Sequence, residues 1–169
     1  LDARHESLGG DLESRAVRLR KVLEELGPTF IKFGQILSVR PDLVPLDLCN
    51  ELSKLQDHVP PFGYDDVRKQ IKESFGKYPE ELFASFDPDP LAAASLGQVH
   101  RAQLDTGENV VVKVQRPDIR KMIETDLDIL YTLAQLASRY MQDVKFFNPI
   151  GIVDEFSKVI TKEIDFTYE

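Results

Sequence analysis

The feature that most restricts this chain is a change of period near its middle. Before residue 86, apolar residues recur at three- and four-residue spacings, the mark of helices with one buried face. The run Phe86-Asp87-Pro88-Asp89-Pro90 breaks that pattern. The next stretch is built for extended chain: Val110, Val111, Val112 and Val114 lie together in the run to Gln115, after the turn composition Asp105-Thr106-Gly107-Glu108-Asn109. Helical period returns from Asp118 onward. One small antiparallel sheet set among helices, an α+β chain, is the economical solution.

In the first part, Leu12, Ala16, Leu19, Leu23 and Leu26 predict a helix over 11–26, with Asp11 as N-cap and Gly27 as stop. Pro28 opens the next, which runs to about Val39, because Pro41 biases Arg40 away from helical backbone. Leu48, Leu52 and Leu55 predict a third helix, ending near the break at Pro60-Pro61. Val67, Ile71 and Phe75 predict a fourth, closed by Gly76, with a further turn over Pro79–Phe83. Beyond the strands, Ile119, Ile123, Leu130, Leu133, Ala137 and Tyr140 are expected on one face of a long helix, and Phe146-Phe147 in the connection as core plugs. Val153, Phe156, Ile160 and Ile164 share an arc of a last helix capped by Asn148-Pro149. The texture change divides the chain into a helical extension, 1–87, and a second domain, 88–169.

At 169 residues the chain is long enough for a real core, and its net charge of −8 argues against a nucleic-acid surface, which depends on Lys and Arg neutralising phosphates. Its one cysteine, Cys49, has no internal disulfide partner and reads as a small buried residue. His58, without a second His or a Cys nearby, reads as structural. No apolar run approaches the roughly 20 residues of a spanning helix. The first residue is not Met and the helical pattern runs to Glu169, so the sequence reads as part of a longer protein.

Two charged positions stand out. In the 28–39 helix, Phe30, Phe33 and Leu37 share one face while Lys32 and Gln35 share another, which by spacing alone is also an ordinary solvated face. Gly34 between them costs about 1 kcal/mol relative to Ala, and the expected reason is close approach of another backbone or a ligand. In the last helix Glu163 falls inside the apolar arc. A carboxylate there needs a counter-charge, and Lys32 is the expected one.

The run Lys32-Phe33-Gly34-Gln35 within GPTFIKFGQILSVRPDLVP resembles the KxGQ signature of the UbiB/AarF family, atypical protein-kinase-like proteins associated with quinone biosynthesis. Three consecutive alanines favour a helix by propensity. Their position points elsewhere, because a small-residue loop, a strand, a turn and a Lys within Val-Val-Val-Lys follow the order of the protein-kinase small lobe. Ala92-Ala93-Ala94-Ser95-Leu96-Gly97 resembles the family's alanine-rich loop, which replaces the Gly-x-Gly-x-x-Gly of ordinary kinases. Gly97-Gln98-Val99-His100-Arg101-Ala102, Val112-Lys113-Val114-Gln115-Arg116-Pro117 and the ExD-like Lys162-Glu163-Ile164-Asp165-Phe166 extend the resemblance.

That resemblance implies a protein-kinase-like N-lobe preceded by a helical extension carrying the KxGQ motif, with the large lobe outside this chain. It places Lys113 on the α- and β-phosphates of ATP or ADP, with Glu169 holding its ammonium, and Ala92, Ala93, Ala94, Ser95, Leu96 and Gly97 along the phosphates. Lys32, Gln35, Glu163 and Asp165 complete its site residues; Lys32 and Gln35 reach in where an ordinary kinase admits a protein substrate, so that Lys32 and Lys113 converge on one anion-binding cleft. Magnesium ligands are expected downstream of residue 169, and the chain alone is expected to be inactive. In the full protein the resemblance implies an ATPase or phosphotransferase supporting ubiquinone or isoprenoid-lipid biosynthesis, cytoplasmic or peripheral to a membrane. A membrane lipid or quinone intermediate and biosynthetic proteins are its implied partners. The alternatives are a pseudokinase scaffold that binds nucleotide or lipid without turnover, and a plain helical interaction domain.

Overall fold

The computed structural model describes residues 3–56, 59–140 and 148–166, with side chains from Arg15 onward. They fall into two compact units, Leu1–Asp57 with Met122–Glu169, and His58–Lys121. The expected division at residue 87 therefore does not coincide with a unit boundary. His58, Phe146, Phe147 and Glu169 lie outside the described residues.

The first unit is helical. Helices α1 (Ala3–Leu26), α2 (Pro28–Ser38) and α3 (Leu46–Leu52) pack against one another. Gly27, at φ 107, takes a backbone conformation that side-chain-bearing residues avoid, so α1 can stop and α2 begin at once on Pro28. Gly34 has its close approach, but to side chains: a Cβ there would collide with Leu55 Cδ1 and come within 2.9 Å of Leu23 Cδ1. α1 starts well before Asp11, which is therefore not a cap. Only Ala16 and Leu23 of its expected stripe are buried among the described side chains, while Leu19 and Leu26 are exposed. Helix α3 stops at Leu52, and Leu55 is buried just beyond it.

The second unit sets a four-stranded antiparallel sheet against helix α4 (Tyr64–Phe75). Strand β3 (Gly97–Gln103) pairs along one edge with β4 (Asn109–Gln115). On its other edge β3 pairs with β2 (Ala92–Ala93) near its start and with β1 (Ser85–Phe86) near its end. Val67 and Ile71 of α4 meet Val114 in the core, with Phe62, Tyr64, Leu82, Phe86 and Val112 around them. Phe75, one turn on, is exposed, and Gly76 closes α4 in left-handed conformation at φ 75. The short α5 (Pro79–Leu82) leads into β1.

Helix α6 (Ile119–Tyr140) buries Ile119, Ile123, Leu130 and Ala134. Leu133 and Tyr140, expected on that face, are exposed, since one residue off the buried line turns by about 100° in a helix of 3.6 residues per turn. Helix α7 (Pro149–Glu163) begins as expected, with Asn148 Oδ1 accepting from the Gly151 N–H and Pro149 in the first turn. Val153, Phe156, Ile160 and Ile164 are all buried. The helix ends at Glu163, so Asp165 lies beyond its C-cap, Ile164, and not on a helical face.

Candidate functional site

Strand alternation gives the sheet two different faces. Gln98, His100 and Ala102 of β3 and Val114 of β4 point to the buried side. Lys113 and Arg101 are exposed, and so is Val111, at 65%. Pairing sets Val99 opposite Lys113, Arg101 opposite Val111, and Ala92 opposite Val99. Ala92, Val99 and Lys113 thus form one cross-strand row on the face turned from the core, with Val111 beside them. Opposed residues of such a row are neighbours, about 5 Å apart at Cβ. A flat apolar surface next to an ammonium matches a molecule that joins an aromatic base to an anion. The sequence alone singles out Lys113 but not Val99 as a site residue; period-2 alternation is the signal for Val99, and the register supplies what was missing.

The alanine-rich segment forms a tight hairpin turn into β3. The Ala94 N–H donates to the Gly97 carbonyl at 2.8 Å, and the Leu91 N–H to the Val99 carbonyl at 2.7 Å. Ala92 and Ala94 are exposed and Ala93 half-buried, whereas Ser95, Leu96 and Gly97 are buried. Of the six residues expected along the phosphates, the three alanines are the ones that reach the surface. Gly97 has a different reason for being glycine: a Cβ there would meet the Val114 carbonyl oxygen at 2.5 Å. The strands, and not a ligand, require it.

A buried polar chain underlies this face. The Gln98 amide accepts from the Phe62 N–H at 2.9 Å and donates to the Phe62 carbonyl at 3.2 Å and to His100 Nε2 at 3.0 Å. His100 Nδ1 lies 2.8 Å from the Asp87 carbonyl, which only accepts, so the proton sits on Nδ1 and Nε2 is the acceptor. Phe86 stacks on the imidazole at 5.2 Å. With each of these partners matched, Gln98 and His100 tie the segment before α4 and the segment after β1 to the central strand.

In the first unit, Lys32 Nζ lies 2.9 Å from Glu163 Oε2, joining α2 to α7 as the wheel predicted. Both side chains are partly exposed, at 23% and 36%, so Glu163 is at the margin of the apolar arc and not fully inside it. Phe33 meets Phe156 edge-on at 5.0 Å, and Arg40 bridges Asp42 and Glu155 at 2.8 and 2.7 Å. Gln35 donates to the Leu55 carbonyl at 3.4 Å. Glu51 is buried between Arg20, at 2.7 Å, and Lys54, and these two cations, Lys54 first, hold its carboxyl below the usual carboxylate range. Arg40 does the same for Asp42. Lys32 belongs to the first unit and Lys113 to the second.

Residues 54–169 match the model of the ABC1 atypical kinase-like domain. The chain belongs to that family. A curated relative from Pseudomonas fluorescens, named "Probable protein kinase UbiB", is 51% identical over 156 residues, 92% of this chain and 29% of the relative. One of the same name from Marinobacter nauticus is 49% identical over 156 residues, 92% of this chain and 28% of the relative. The chain thus spans less than a third of the length of these relatives. A solved structure from Mycobacterium tuberculosis, described as a complex of Rv3197 with erythromycin, is 29% identical, with a TM-score of 0.57 over 98% of this chain and 42% of that one. In ABC1 terms, the antiparallel sheet with its strand lysine is the kinase-like N-lobe, and the α1–α3 helices are its N-terminal extension.

Proposed function

We propose that this chain is the ATP-binding portion of an atypical kinase-like ATPase or phosphotransferase that supports ubiquinone biosynthesis. The observation that carries the reading is the row Ala92–Val99–Lys113 on the exposed face of the sheet, in a chain of the ABC1 family. Val99 and Val111 offer apolar contact to the adenine, and Lys113 offers fixed positive charge to the α- and β-phosphates. In this reading the alanine turn covers the phosphates. Alanine methyls deny the turn the backbone freedom that glycine allows, and nucleotide preference follows from that restriction.

Among the described residues no group of three or more His, Cys, Asp or Glu is placed to hold a metal ion. Magnesium would be held by side chains of the longer protein downstream of residue 169, and there it would supply positive charge against the phosphates. Among the described residues no helix is long and apolar enough to cross a membrane. In this reading the full protein works in the cytoplasm or at a membrane surface, on a lipid or quinone intermediate and with biosynthetic partners.

The test is magnesium-dependent binding of ATP and ADP to the full-length protein by calorimetry. Lys113→Met removes a charge-assisted contact of about 1.5–3 kcal/mol, so affinity is expected to fall roughly 10- to 100-fold. Unchanged affinity refutes the site. Ala93→Gly is expected to alter the ratio of ATP to ADP affinity, and turnover of bound ATP separates an enzyme from a scaffold.

A further inference from the structure

The main chain and guanidinium of Arg116, the residue after β4, both bond to the alanine turn. Its N–H donates to the Leu96 carbonyl at 2.9 Å. Its Nε donates to the Ser95 carbonyl at 3.2 Å, and its Nη2 to the carbonyls of Ala94 at 3.5 Å and Pro60 at 3.1 Å. The guanidinium also sits over the Phe62 ring, 5.3 Å from its centroid. Three successive carbonyls of the turn, at positions 94, 95 and 96, are thereby held by one residue. A planar fork of donors suits this task, and the single point charge of a lysine does not. The other end of the arrangement is equally fixed, because Phe62 is bonded through both its N–H and its carbonyl to Gln98 of β3.

We propose that Arg116 is a positioning residue that locks the alanine turn and thereby sets which adenine nucleotide the site prefers. It touches no phosphate in this scheme. It acts through the turn, whose carbonyls it draws toward itself and whose exposed methyls, at Ala92 and Ala94, then stand in one place. A locked turn presents a fixed clearance over the phosphates, so a nucleotide with one more phosphate must fit without backbone adjustment. This deepens the nucleotide-binding reading and rests on it.

The decisive comparison uses the full-length protein with Arg116→Lys and Arg116→Gln. A control, Val67→Ala, loosens the same core without touching the turn. Two quantities are read: amide hydrogen exchange at Ala94, Ser95 and Leu96, and the ratio of ATP to ADP dissociation constants. Both Arg116 variants are expected to speed exchange at the turn and change the ratio about tenfold, the worth of one charge-assisted hydrogen bond. Val67→Ala is expected to leave the ratio unchanged. Full retention of both quantities in Arg116→Lys overturns the proposal, and so does an equal change of the ratio in Val67→Ala, which marks a general loss of stability. Should the wild-type protein bind no adenine nucleotide, the functional reading fails and takes the selectivity claim with it. Exchange at the turn then still decides whether Arg116 is its lock.

Discussion

Neutralising either end of the Lys32–Glu163 pair is expected to loosen the α2–α7 seam, and neutralising both to cost less than the sum. The atoms are 2.9 Å apart, yet the side chains remain 23% and 36% exposed. Fully exposed pairs are worth about 0.2–1 kcal/mol, whereas removing one partner of a fully buried pair costs about 3–5 kcal/mol. Partial exposure leaves water to solvate whichever charge remains, so the coupling belongs near the top of the first range, about 1 kcal/mol. Lys32→Met, Glu163→Gln and the double variant, each unfolded in urea, give the coupling as the departure from additivity. Because the charges touch, roughly 0.5 M salt is expected to weaken the coupling only in part. Additive single effects, within about 0.3 kcal/mol, would sink the reasoning; the salt bridge would then be a geometric neighbour without energetic consequence.

The packing supports three further expectations. Gly34→Ala gains about 1 kcal/mol of helix propensity, but its methyl must displace buried leucine side chains, an overpacking penalty of about 1–3 kcal/mol, so a net loss is expected in urea unfolding; a gain in stability refutes the clash. Gln98→Leu leaves the Phe62 N–H and carbonyl and His100 Nε2 without their partner and is expected to cost about 2–4 kcal/mol, measured by the urea midpoint. Glu51 and Asp42 have folded-state carboxyls held below their ordinary values of 4.5 and 3.8. Their contribution to stability is present above those values and is lost as pH falls through the lower folded ones. Glu51→Gln is expected to flatten the fall of the urea midpoint below pH 4.5; an unchanged slope refutes the role of the Arg20–Glu51–Lys54 cluster.

Some of the geometry at the candidate site was legible locally. Period 2 over Val110–Gln115 places Lys113 opposite the valines that pack on α4, and a wheel of the last helix predicts a cation for Glu163, although it sets that residue inside the apolar arc and the structure sets it at the margin. Other features were not legible. Nothing in the spelling of Gly97 says that Val114, seventeen positions on, is what excludes a Cβ. Ser95 and Leu96 look like the tip of an exposed loop and are buried, and Leu19, Leu133 and Tyr140 look like core and are exposed. Burial depends on what lies opposite, and a helical stripe defines only the surface that is available.

By itself, then, the sequence determined the order of the helices and the place of the β3–β4 hairpin among them, the ends at Gly27, Gly76 and Asn148, and the faces on which charge would lie, because these follow from backbone preference and side-chain direction within a few residues. Register and long-range contact were decided only by the tertiary structure: the row from Ala92 through Val99 to Lys113, the Gln98–His100 chain, and the hold of Arg116 on three carbonyls. Such bonds join groups far apart in the chain, and their geometry exists only after the strands have paired. The same carbonyls, read one residue at a time, carry no mark of the partner they will find.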